Sequence, residues 1–217
     1  MKRQLYGVYT PAKNASPNQI IDELFESIEA GLPWLQIRDK SKENNLWHLW
    51  QQVAIKSAEH NIQLIINDNI DLLLFVQQHL KSENKNGLLP GLHLGQDDLA
   101  LQNARSRVSA DTIIGITCHD SVALAETAID GGADYLAFGR FFPSVTKPDA
   151  PPASIEVINS FQKQNSQNKP IAVIGGIDSS NIEKLLHTPA SLYAVSNAIW
   201  GQKSITSAIN VLTQALQ

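Results

Sequence analysis

A single cysteine, Cys118, in 217 residues leaves no partner for an intrachain disulfide and gives no sign of an oxidising compartment. A basic surplus is missing too: 17 Lys and Arg face 21 Asp and Glu, for a formal net charge of −4 and a pI near 5.8. Without a broad basic face, nucleic-acid binding driven by phosphate neutralisation has little support, and an anionic ligand has to be held locally. Long apolar runs are absent. A stretch such as Leu72 to Val76 is far too short to span a bilayer, and none of signal-peptide length follows Met1-Lys2-Arg3. A cytoplasmic chain whose mature form starts at Met1 is expected, with no membrane and no nucleic-acid partner. The six histidines, at 48, 60, 79, 93, 119 and 187, contain no pair with the spacing of a zinc motif.

What is present is an ordinary soluble composition, 43% hydrophobic and 18% charged, with length enough for one domain over residues 1–217 with a large core. Short apolar, β-branched runs alternate with longer stretches of helical period to the end of the chain. The strand-like runs are Leu5 to Thr10, Trp34 to Arg38, Leu64 to Asn67, Leu92 to Gly95, Ile113 to Thr117, Tyr135 to Gly139, Ile171 to Gly175 and Leu192 to Ser196. Helices are expected over Gln19 to Glu29, Leu46 to Ala58, Ile70 to Leu80, Val122 to Ile129, Ile155 to Gln162, Asn181 to Leu186 and Ile205 to Leu216. Eight βα units predict an α/β fold of the closed (β/α)8 TIM-barrel type. A doubly wound open sheet needs fewer strands and usually a glycine-rich first turn, which Thr10-Pro11-Ala12-Lys13 does not supply. The stretch from Gln77 to Pro90, with its Lys-Ser-Glu-Asn-Lys-Asn-Gly tract, reads as a long polar surface connection.

In such a barrel the loops after the strands' carboxyl ends build the active site, so the polar residues that close each apolar run are the candidates. Ser144, Thr146 and Lys147 share the loop after the sixth run, where three donors suit a phosphate or pyrophosphate; the same loop also makes a turn on Pro143 and Pro148. Gln36, Arg38 and Lys40 alternate and so point to one face, as an anion cradle or as a solvated strand end with Arg38 paired to Asp39. Asp68 and Asp98 follow neighbouring runs and can share a magnesium ion with ligand oxygens, Asp97 being equivalent to Asp98 on spacing; each can equally cap a helix. Gly175-Gly176 before Asp178-Ser179-Ser180, with Ser196 on the next run, permits backbone approach to a phosphate, or a simple turn and cap. Thr117 and His119 close the fifth run, and His119 reads as a general acid or base or as a structural residue. Cys118 reads as a small buried side chain rather than a nucleophile, and Trp47 and Trp50, three apart, share a helix face.

The segments Gln36-Ile37-Arg38-Asp39-Lys40, Ile65-Ile66-Asn67-Asp68, His93-Leu94-Gly95-Gln96-Asp97-Asp98, Gly132-Ala133-Asp134-Tyr135, Phe142-Pro143-Ser144-Val145-Thr146-Lys147, Ile174-Gly175-Gly176-Ile177 and Val195-Ser196 follow one another in the order found in a known family. With these, the chain resembles the thiamine phosphate synthases from the first strand to the eighth. The resemblance implies a (β/α)8 barrel that joins hydroxymethylpyrimidine diphosphate to a thiazole phosphate and releases pyrophosphate, with magnesium required. It further implies that Gln36, Arg38, Lys40, Asn67 and Lys147 hold the pyrimidine diphosphate, with Arg38, Lys40 and Lys147 acting on the leaving group. Asp68 and Asp98 would ligate magnesium. Ser144, Thr146, Gly176, Val195 and Ser196 would bind the thiazole phosphate, and Thr117 takes the place of a pocket serine. Small-molecule substrates are the implied partners, with homo-oligomer formation left open. Departures from the pattern are Thr117, Ser144, Asn69 and Arg140, where serine, threonine, arginine and proline are usual. Two rival expectations are an isomerase resembling the thiazole tautomerases of the same fold, and a non-catalytic barrel that binds thiamine precursors. The joint presence of Arg38, Lys40, both aspartates and Thr146-Lys147 weighs against both.

Overall fold

Each strand-like run pairs in parallel with the next, and the last returns to the first. The computed structural model describes residues 2–40, 46–82, 87–96, 100–143 and 151–217. The strands are β1 (Gln4–Tyr9), β2 (Trp34–Ile37), β3 (Gln63–Asn67), β4 (Gly91–Leu94), β5 (Ile114–His119), β6 (Tyr135–Gly139), β7 (Ile171–Ile174) and β8 (Leu192–Val195), closed into a barrel in that order. Closure is made by β1 against β8, with Gln4 opposite Leu192 and Gly7 opposite Val195. The α-helices are α1 (Pro17–Glu29), α2 (Trp47–Glu59), α3 (Ile70–Ser82), α4 (Leu101–Arg107), α5 (Val122–Asp130), α6 (Ile155–Gln164), α7 (Asn197–Trp200) and α8 (Ile205–Ala215). The expected (β/α)8 barrel is therefore the fold observed.

Local chemistry accounts for the helix starts. Ser16, Ser121 and Ser204 each accept a backbone N–H three residues on, and Pro17 opens α1 where its missing N–H costs nothing. Alternation along the strands separates two cores. Outward residues such as Leu5, Leu35 and Leu64 pack under the helices. Inward ones, Tyr6, Val8, Ile65, Tyr135, Ala137, Ala172, Leu192 and Ala194, fill the barrel. Trp34, Tyr6 and Tyr135 meet edge to face near the base, with ring centroids 5.6, 5.6 and 6.0 Å apart. Gly115 makes that plug possible: a Cβ there would lie 2.0 Å from the Tyr135 ring. The inward series of β2 thus climbs from Trp34 in the plug, through Gln36, to Arg38 at the mouth.

Three local expectations change. The segment from Asn181 to Leu186 is a short 3-10 helix, Ile182–Leu185, between β7 and β8, because Asp178 and Asn181 tie the preceding residues into a turn. The polar connection starts later than Gln77: α3 runs to Ser82, and Gln77 is buried, donating to Pro90 O at 2.7 Å. Two helices, α4 and α7, carry too little apolar period to be foreseen. Trp50 is buried and its indole donates to Asp39 at 3.0 Å, while Trp47 lies against Phe75 of α3. Among the described residues, no helix is long and apolar enough to cross a membrane.

Candidate active site

The barrel mouth opens into a pocket of about 410 Å³. Gln36 and Arg38 reach it from β2 and the residue just past it, Asn67 and Asp68 from β3 and the residue just past it, and Thr117 and His119 from β5. Gly175 and Gly176 contribute from the turn after β7, and Val195 and Ser196 from β8 and the residue that follows. Eight residues singled out for substrate or metal, namely Gln36, Arg38, Asn67, Asp68, Thr117, Gly176, Val195 and Ser196, therefore share one cavity. Lys40 does not join them. β2 ends at Ile37, the alternation that would aim Lys40 inward ends with it, and its side chain is exposed outside the pocket wall. Ser144, Thr146, Lys147, Asp97 and Asp98 lie outside the described residues.

Asp68 is placed by its backbone. It turns out of β3 at φ 62°, a left-handed conformation that aspartate tolerates better than most residues, and its N–H donates to His93 O at 2.8 Å. Capping of α3 falls to the next residue: Asn69 Oδ1 accepts from Leu72 N at 2.9 Å. The Asp68 carboxylate stays in the pocket wall, where the Asn67 amide donates to it. One carboxylate exposed to incoming substrate oxygens suits magnesium, which takes few protein ligands and completes its shell with water and phosphate. Among the described residues there is no group of three or more His, Cys, Asp or Glu that could hold a metal alone.

The fold gives Gly176 its own reason for being glycine. Its φ is 63°, and a Cβ would lie 2.2 Å from Pro143 O and 2.8 Å from Phe142 O. The turn after β7 is thus clamped beneath the chain that leaves β6, and Asn181 Nδ2 holds Gly176 O at 2.9 Å. Beside it, α7 begins at Asn197, directly after Ser196, whose carbonyl accepts from Ile199 N and Trp200 N, and Asn197 and Ala198 line the pocket wall.

A shift of register in β5 between Thr117 and His119 brings both to the pocket, with His119 at φ 51°. Cys118 between them is fully buried, and burial pushes its thiol up to about 12, so it is no nucleophile at neutral pH.

Below the mouth lies a row of buried polar groups that the sequence does not announce. Gln36 Nε2 donates to Tyr6 OH at 2.6 Å, the Tyr6 and Tyr135 hydroxyls are 2.7 Å apart, His93 Nδ1 is 2.9 Å from Tyr135 OH, and His93 Nε2 is 2.9 Å from Thr117 Oγ1. Burial holds both tyrosines above the ordinary phenol range, so they remain neutral. Arg140, noted in the sequence only as a departure, also reaches the wall.

With this geometry in view, comparison with known proteins is direct. Residues 5–199 match the family model described as thiamine monophosphate synthase. The thiamine-phosphate synthase of Marinobacter nauticus is 41% identical over 186 residues, covering 83% of this chain and 77% of the relative. That of Nitrosomonas eutropha is 32% identical over 206 residues, covering 94% and 90%. A solved thiamine phosphate pyrophosphorylase from Pyrococcus furiosus superposes with a TM-score of 0.82 at 23% identity, covering 98% of this chain and 95% of its own, which shows the shared fold. A matching barrel, a matching family model and relatives aligned over most of their length lead to one conclusion: the chain belongs to the thiamine monophosphate synthase family.

Proposed function

We propose that this protein is a thiamine phosphate synthase, a transferase that condenses hydroxymethylpyrimidine diphosphate with thiazole phosphate and releases pyrophosphate. The observation that carries the reading is one pocket lined by Arg38, Asn67 and Asp68 on one side and by Gly176 and Ser196 on the other. Two phosphorylated substrates have room to face each other across it. The aminopyrimidine stabilises positive charge on its exocyclic methylene, so the carbon–oxygen bond to the diphosphate breaks with the electron pair leaving on pyrophosphate. The thiazole nitrogen then bonds to that carbon. No protein nucleophile is needed, which fits a buried, protonated Cys118.

The protein's part is to hold and to neutralise. Arg38 offers a planar guanidinium to the diphosphate, and Gln36, Asn67 and Thr117 offer hydrogen bonds to the pyrimidine half. Lys147, with Ser144 and Thr146, is assigned by the family motif to the leaving group and the second phosphate. Lys40, exposed beside the mouth, is assigned at most a role in attracting the diphosphate. Asp68 would hold magnesium, with Asp98 from the motif, and the metal would supply positive charge to the departing pyrophosphate. Keeping both substrates on one rim adds the proximity advantage of an intramolecular reaction. A cytoplasmic enzyme with small-molecule partners is the setting this chemistry fits.

The test incubates purified protein with both substrates and magnesium and measures thiamine phosphate and pyrophosphate. Equal amounts of the two products are expected. Isomerisation of the thiazole without pyrophosphate release, or tight binding of both substrates without turnover, would overturn the reading.

A further inference from the structure

Both ends of the buried polar row open on the pocket: Gln36 at one end and Thr117 at the other line its wall, and Tyr6 and His93 form its floor. Each hydroxyl in the row has one proton, so where every proton of the row is given to the next member, the direction at one end sets the direction throughout. Gln36 donates through Nε2 to Tyr6 OH. The Tyr135 hydroxyl, 2.7 Å away, is the acceptor within the row for the Tyr6 proton. With Tyr135 accepting from Tyr6, its own proton has His93 Nδ1, 2.9 Å away, as acceptor. A neutral imidazole that accepts at Nδ1 carries its proton on Nε2, and that proton goes to Thr117 Oγ1 at 2.9 Å.

We propose that His93 is a positioning residue for the pyrimidine half-site. Locked as the Nε2–H tautomer by Tyr135, it occupies a lone pair of Thr117 and leaves the threonine hydroxyl to donate into the pocket. The Gln36 amide, its nitrogen turned to Tyr6, leaves its oxygen to accept. The site so built takes a flat heterocycle with an acceptor ring nitrogen towards Thr117 and an amino group towards Gln36. It disfavours the analogue in which an oxo group replaces the amino group, because two acceptors would then face each other. This rests on the functional reading above for the identity of the heterocycle.

The row is also rigid. Tyr135 fills the hollow left by Gly115 and stacks on His93 with an interplanar angle of 26° and centroids 5.6 Å apart. Tyr6 and Tyr135 are both about 2% exposed or less. Tyr135, the middle of the row, is kept from the pocket, so water does not compete for its proton.

Nitrogen-15 NMR of histidine-labelled wild-type protein, with His93 assigned through His93→Gln, reads the tautomer directly. An Nε2–H imidazole is expected; an Nδ1–H imidazole would reverse the row and overturn the proposal. Calorimetry adds a second measurement. Thr117→Val should raise the Kd of the pyrimidine diphosphate about tenfold, the size of one net hydrogen bond, and leave the thiazole phosphate Kd unchanged. Tyr135→Phe, which keeps the ring in the Gly115 hollow, should weaken the same ligand by several-fold alone and not at all in a Thr117→Val background. Additive effects, or an effect on the thiazole phosphate, would show a packing role and overturn the proposal. The NMR measurement uses the unaltered chain and needs no variant binding data. Neither measurement needs turnover, so an enzyme that binds the pyrimidine diphosphate but makes no thiamine phosphate would count against the functional reading alone.

Discussion

At the base of the barrel, Asp134 stands one residue before β6 and gives its carboxylate wholly to the fold. It accepts the Ile114 N–H at 2.8 Å and pairs with Arg105, whose guanidinium also holds Gly132 O and Thr112 O. At the mouth, Asp68 stands one residue after β3, turns through a left-handed conformation and keeps its carboxylate in the pocket wall. Both aspartates belong to segments of the family pattern, yet one closes the βα units from below and the other faces the ligand. The difference follows from strand direction: in a parallel barrel every strand delivers its last residue to the same rim, so chemistry collects there and cross-bracing collects at the other end.

The sharpest way to break this contrast is Asp68→Asn. Asparagine tolerates positive φ, so the backbone should survive while the charge is lost. A fall in kcat on the order of a hundredfold or more is expected, with an unchanged melting temperature. Turnover close to wild type at saturating magnesium would remove Asp68 from the chemistry. Asp134→Ala should do the opposite. Losing the partner of Ile114 N–H and of Arg105 should cost about 1–3 kcal/mol of stability, read as a lower denaturant midpoint, with kcat and both KM values intact. If kinetics moved instead, the base would not be purely structural.

Cys118→Ala probes the contrast most gently, because that thiol lies between Thr117 and His119 but on the outer side of the sheet. Its folded value of about 12 stands above the ordinary 9.0. The unfolded chain therefore ionises first, so the contribution of the protonated thiol is complete below about pH 9 and is lost as pH rises towards 12. The slope is at most about 1.4 kcal/mol per pH unit for one group. Melting temperatures of Cys118→Ala should fall less steeply than wild type between about pH 9 and 10.5, with kcat unchanged at neutral pH. Parallel melting curves would mean that the thiol is not held protonated by burial.

Alternation of short β-branched runs with helical stretches made all eight strands legible, with ends shifted by a residue or two, because burial on both faces leaves few other residue choices. Helix α4 was not legible: Leu101–Arg107 buries only Ala104, too little to leave an apolar period. At the site, residues at strand ends were readable because the rim is set by chain direction. Lys40, three residues past the end of β2, is exposed and is not among the residues that line the pocket. The row through Tyr6, Tyr135 and His93 was hidden for another reason. Alternation says which face a side chain takes, and only closure of the barrel says which inward residues meet. Gly176 was visible as a special position, but its cause, the carbonyls of Phe142 and Pro143, lies more than thirty residues away in the chain.

The pairing of β1 with β8 also bears on how this chain comes into being. Gln4 finds its neighbour only in Leu192, and Arg3 reaches across to Leu186 O at 2.6 Å. At a synthesis rate of roughly 5–20 residues per second, the first strand waits on the order of ten to forty seconds with one edge unpaired. Every nascent chain therefore passes through an open sheet with two bare edges, prone to pair with a neighbour. Completion of the barrel thus waits on β8, and it is the ring's last strand that removes both bare edges at once.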